Sequence, residues 1–140
     1  MKPESLFREA QAEVERHKYF ESEKRGYDLG HDAVDDWHRR YWTLWLRHRW
    51  LEHLLGQRCW EELEVWRFGR LRTLFAGHEA LLEEIAALVR RGAENTDILF
   101  WAARNRLSNL AVVESILTEV RINEIRCSRQ CFLFAREPED

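Results

Sequence analysis

The chain has 140 residues, of which 45% are hydrophobic and 34% charged, with a formal net charge of −3. That balance suits one domain with a real core and excludes an intrinsically disordered chain. No apolar run approaches the ~20 residues of a membrane span, and the first residues, Met1 to Glu9, are charged and amphipathic rather than a secretion signal.

The charge is unevenly spread. Residues 1–36 hold six Lys/Arg against ten Asp/Glu, residues 37–72 hold eight Arg against four Glu, and residues 73–140 hold eight Arg against eleven Asp/Glu. The basic segment is also the aromatic one, since six of the seven tryptophans lie between Trp37 and Trp66. Trp and Arg dominate interface hot spots, and Trp also buries more apolar area than any other side chain.

The only prolines, Pro3 and Pro138, lie at the ends. Ala, Leu, Glu and Arg dominate and β-branched runs are almost absent, so helix is expected nearly everywhere, with the six glycines as punctuation. The first helix is expected over Glu4–Arg25, where Leu6, Phe7, Ala10, Val14, His17 and Phe20 form an apolar stripe, with Gly26 as its stop. Asp28 is the expected N-cap of a second helix that runs to Leu55 and stops at Gly56. Residues 57–77 read as an irregular crossover followed by a short helix over Phe68–Phe75, ended by Gly77. An amphipathic helix follows over His78–Arg91, with Leu81, Leu82, Ile85, Leu88 and Val89 inward. Asn95–Asp97 caps a short helix, Ile98–Asn105, and Ser108 caps a last one that carries Leu110 to Val120 and extends toward Phe132. Residues 1–3 and 136–140 read as frayed ends. The expected fold is an all-α, single-domain bundle of five or six helices spanning residues 1–140 around a long, Trp-rich second helix.

On a helical wheel the second helix has two apolar faces. Val34, Trp37, Tyr41, Leu44, Trp45, His48, Leu51 and Leu55 share a broad one, expected to be core. Trp42, Leu46, Trp50 and Leu54 wind around the opposite side, and the polar remainder is a narrow strip of Asp36, Arg39, Arg40, Thr43 and Arg47. A helix apolar nearly all round is either central or covered by a partner. The second face, with Trp42, Leu46, Arg49, Trp50 and His53, is thus the candidate contact surface for a protein partner or for self-association.

Four chemical alternatives compete. His31, Asp35 and His38 stand at i, i+4 and i+7 on one helix face, a spacing that suits metal ligands, although the second Asp/Glu-x-x-His half of a di-iron bundle is missing. Cys127 and Cys131 stand four apart on an expected helix, a wider spacing than the usual zinc pair. Trp101 to Ile116 has a helix-turn-helix outline, with Ala102, Leu107, Ser108, Val112 and Ile116 at packing positions, but Glu114 and Glu119 sit where a groove-reading helix needs donors. The Arg/Trp segment has the residue types that stack on single-stranded nucleic acid, but its net charge of +4 is modest and a rigid helix suits splayed bases poorly. No phosphate loop, nucleophile elbow or catalytic histidine set is present in the sequence, and His48 with Glu52, one turn apart, reads as a core histidine. Three cysteines at 59, 127 and 131 make no disulfide framework. The sequence thus points to a small cytoplasmic, non-enzymatic interaction or assembly protein without a cofactor, with a metal-binding bundle as the alternative and nucleic acid as the weakest reading.

Overall fold

The computed structural model describes residues 2–121. They form six α-helices, and no strand occurs among them: α1 (Leu6–Arg25), α2 (His31–Leu54), α3 (Arg70–Leu74), α4 (Glu79–Arg90), α5 (Asn95–Asn105) and α6 (Leu110–Val120). Two short 3₁₀ turns, Val65–Arg67 and Leu107–Asn109, complete the chain path. The expected extension of the last helix toward Phe132 lies beyond Arg121, outside the described residues, as do Cys127 and Cys131.

α1 starts at Leu6, not Glu4, because Ser5 is its N-cap and accepts from the Arg8 amide at 3.2 Å. A second cap arrives from far away in sequence. The Glu62 carboxylate accepts from the Ser5 hydroxyl at 2.9 Å, the Leu6 amide at 2.6 Å and the Phe7 amide at 3.0 Å. It thereby satisfies orphan N–H groups and places a negative charge at the positive end of the helix. Glu4 stays extended instead and pairs with the crossover in a parallel bridge: its amide donates to the Cys59 carbonyl and its carbonyl accepts from the Glu61 amide, both at 2.8 Å. Its carboxylate also grips Arg58 at 2.7 Å, and that hydrogen bond holds the Glu4 carboxyl below the ordinary carboxylate range.

α1 ends at Gly26, in the left-handed conformation at φ 78°. Asp28 does not cap α2. Its carboxylate accepts from the Gly30 amide at 2.9 Å and shapes the turn, so α2 begins two residues later than that cap implied. α1 and α2 then run back along each other as a hairpin. His17 bridges the two helices to Asp36 at 2.8 Å, with Arg39 and Arg40 on the same carboxylate. Burial pushes the Asp36 carboxyl up, but the His17 and Arg40 contacts outweigh it and hold the carboxyl below its usual range.

The crossover begins after α2. Gly56 and Gly69 both have positive φ, at 75° and 72°, and their backbones lie side by side: a Cβ on Gly56 would stand 3.3 Å from the Gly69 Cα. This juxtaposition closes residues 57–68 into a loop over the C-terminal end of α2. The helix expected over Phe68–Phe75 shortens to Arg70–Leu74 because Phe68 is extended and Gly69 left-handed. α5 begins at Asn95, with Glu94 as N-cap in a reciprocal capping box with Asp97, earlier than the expected start at Ile98.

The core centres on Leu6, Leu51, Leu55, Trp60, Leu71, Leu82, Ile85, Ile98 and Ile116, so every α-helix except the hairpin's outer turns reaches it, and the crossover supplies Trp60. α1, α3 and α4 all pack on α2. From Leu46 onward α2 is enclosed on nearly every side, as shown by the burial of Leu46, Arg47, Leu51, His53, Leu54 and Leu55.

Candidate functional site

The expected contact face turns inward. Trp42, Leu46 and His53 are 4%, 6% and 1% exposed, so they belong to the core of this chain, not to a surface for a partner. The physical reason is that α2 is the central element: α1 covers it along the hairpin, while α3, α4 and the crossover surround its second half. The Trp42 indole stacks on Trp45 with centroids 6.0 Å apart and meets Trp37 edge-on at the same distance. Such offset and edge-to-face contacts are characteristic of packed aromatic cores.

Trp50 is half-buried, and its indole N–H donates to the Val120 carbonyl at the end of α6, at 2.6 Å. Arg49 is committed as well. Its guanidinium lies 2.7 Å from Glu52 and 5.5 Å from the Trp45 ring centroid. Burial raises the Glu52 carboxyl above its ordinary range, against the pull of Arg49, Arg58, Arg90 and His48. The Arg/Trp adjacency read as hot-spot chemistry is in good part internal cation–π pairing. Buried Arg67 stands 5.7 Å from the Trp50 ring and 4.6 Å from the Trp66 ring, and Arg58 stands 4.4 Å from the Trp60 ring. Such pairing is strongest where the ring is desolvated beside an always-charged guanidinium, as at Trp60, and weaker at the exposed Trp66; sequence adjacency alone does not reveal whether the partner ring is inside or outside.

The polar strip of α2 is likewise not all solvated. Arg47 is buried, donates to Glu94 at 2.9 Å and to the Ala93 carbonyl at 3.3 Å, and fastens the α4–α5 connection to α2. His48 donates from Nε2 to the Arg90 carbonyl at 3.2 Å.

Of the metal alternative, His31 and Asp35 lie on the surface of α2, and His38 is half-buried with its Nδ1–H donating to the Val34 carbonyl at 2.9 Å. Among the described residues no three His, Cys, Asp or Glu side chains are grouped to hold a metal ion. Cys59 is a buried free thiol. The helix-turn-helix outline departs from its packing pattern, because Leu107, expected inward, is 69% exposed while Ala102 and Ile116 are buried.

The face expected to be core emerges partly outside. Tyr41 and Leu44 are each 40% exposed and Phe20 is 60% exposed. Together with Trp37, Trp45, His48 and Arg49 they line two adjoining shallow depressions on one side of the α1–α2 hairpin, of about 350 and 270 Å³, which share Glu13, Trp37 and Tyr41. Sequence periodicity put Phe20, Tyr41 and Leu44 in the core stripe; only the placement of the other helices leaves them uncovered. No residue pattern distinguishes a stripe residue that meets a neighbour from one that projects past the bundle. Among the described residues no helix is long and apolar enough to cross a membrane. No protein-family model, no curated protein and no solved structure matches the chain.

Proposed function

We propose that the protein is a small, non-enzymatic helical interaction or assembly module, and that its contact surface is the outer face of the α1–α2 hairpin. The observation that carries this reading is the row of exposed apolar side chains Phe20, Tyr41 and Leu44, set over the half-buried Trp45 and flanked by Arg49, His48 and Glu13. An apolar centre with an Arg-containing polar rim is the anatomy of a protein–protein contact. A partner protein or a second copy of the chain would meet the aromatic centre there. A cytoplasmic setting suits three cysteines whose spacings make no disulfide framework.

The test separates surface from core. A Tyr41→Ser, Leu44→Ser variant is expected to keep helix content and thermal stability while losing self-association, measured by sedimentation, or capture of a partner by the purified chain. Trp42→Ala is expected to lose about 3–5 kcal/mol of stability by opening a core cavity. Unchanged mass and partner capture in the double-serine variant would refute the surface assignment.

A further inference from the structure

We propose that His53 is a pH-operated latch that holds the 57–69 crossover on α2, and through it the N-terminus of α1. The His53 ring uses both nitrogens with opposite polarity. Nδ1 accepts from the Trp60 amide at 3.1 Å, and Nε2–H donates to the Glu64 carbonyl at 2.8 Å. A neutral imidazole has one donor and one acceptor, and here each meets its complement. The His53 carbonyl accepts from the Gly69 amide at 2.9 Å and from the Gly56 amide at 3.1 Å. One residue therefore grips the crossover near its start, its middle and its end. The ring is buried, with Phe68 edge-on to it at 5.5 Å.

Protonation breaks this arrangement at a definable atom. An added proton on Nδ1 would face the Trp60 N–H, donor against donor, and leave a buried amide without its acceptor. The new charge would also find no counter-ion. Of the charged groups around it, Arg67 on the 3₁₀ turn is a like charge, and the Glu64 carboxylate is already engaged by Arg67 at 3.1 Å and the Trp66 indole at 2.6 Å. On α2 itself Arg49 and Glu52 pair with each other; at the start of α3 Arg70 turns onto Glu119 of α6; beside α1 Arg58 turns onto Glu4. Burial first, and then Arg67, push the His53 imidazole below its ordinary range, against the Glu64 hydrogen bond. The neutral form is thus the one that fits. A histidine held low in the folded state contributes stability that is complete above the unfolded value of about 6.5 and is lost as pH falls from there toward the folded value.

The crossover carries more than itself. Glu62 caps α1 through Ser5, Leu6 and Phe7, and Cys59 and Glu61 bridge to Glu4. The paired glycines, Gly56 and Gly69, bracket the segment with their backbones side by side. Releasing His53 therefore frees the crossover and unseats the first turn of α1 together, while α4 and α5 keep their own packing.

Hydrogen exchange on the full chain, corrected for the intrinsic pH dependence of exchange, tests the latch. Between pH 7 and pH 5 protection at Trp60, Gly69, Leu6 and Phe7 is expected to be lost progressively, with Ile85 and Ala86 in α4 unchanged. His53→Gln keeps one donor and one acceptor but cannot take up the proton, so its protection at these amides should not change with pH. A nuclear magnetic resonance titration of the unmodified chain gives a second readout: the His53 ring and the Trp60 amide should shift with one common midpoint. Protection that is constant with pH in the natural sequence, equal acid loosening in His53→Gln, or a His53 titration that leaves the Trp60 amide unmoved would each overturn the proposal.

Discussion

Removing Glu94 should damage this protein far more than removing the charge it pairs with. The Arg47 side chain is 3% exposed and the Glu94 side chain 39%. In Glu94→Ala the Arg47 guanidinium keeps only the Ala93 carbonyl at 3.3 Å. An uncompensated buried charge costs about 3–5 kcal/mol, and the lower end applies here because the partner side is open to water. Glu94 is also the N-cap of α5, which adds about 1 kcal/mol. The expected loss is therefore about 4 kcal/mol. Arg47→Met fills a similar volume and buries no charge, while the exposed Glu94 returns to water, so its loss should stay under about 1 kcal/mol. The double variant should lose little beyond the cap, which makes the coupling between the sites about 3 kcal/mol. Urea denaturation followed by far-ultraviolet circular dichroism measures all three. An Arg47→Met loss equal to that of Glu94→Ala would refute the reasoning, because it would mean that the pair stabilises the fold outright.

Two further outcomes follow from the crossover. Glu62→Ala removes the acceptor for Ser5, Leu6 and Phe7 and should cost about 2 kcal/mol, with Glu62→Gln about half as damaging because an amide oxygen still accepts but carries no charge; equal stabilities of all three chains in thermal unfolding would contradict the long-range cap. Gly56→Ala should cost more than Gly26→Ala, roughly 2–3 against 1 kcal/mol, since both have positive φ but only the former brings its Cβ to 3.3 Å from another backbone, and unfolding midpoints in urea would show the order.

Helix existence was legible residue by residue, because Leu81, Leu82, Ile85 and Val89 follow a helical period and Gly26 and Gly92 stand just past helix ends with positive φ. Boundaries were less so. The α1 start is fixed by the local Ser5 cap together with Glu62, which lies 56 positions from Leu6, and no local window contains that second partner. The two apolar faces of α2 were also legible, but their assignment was not. Trp42, Leu46 and His53 turned inward while Tyr41 and Leu44 came to the surface, because a wheel orders residues around one helix and says nothing about where its neighbours stand. His53 had no signal of its own: its role comes from two backbone groups, at 60 and 64, that only the folded crossover brings to its ring.

Composition and periodicity determined the all-helical class and the Trp-rich identity of α2, since those depend on local propensity and on spacing along one chain segment. Tertiary structure alone decided which tryptophans are core, which arginines are buried against rings or carboxylates, and that the crossover clamps both α2 and α1. Burial is a property of pairs of surfaces, and hydrogen bonds across 50 or more residues are set by chain topology. Neither quantity is carried by any single stretch of sequence.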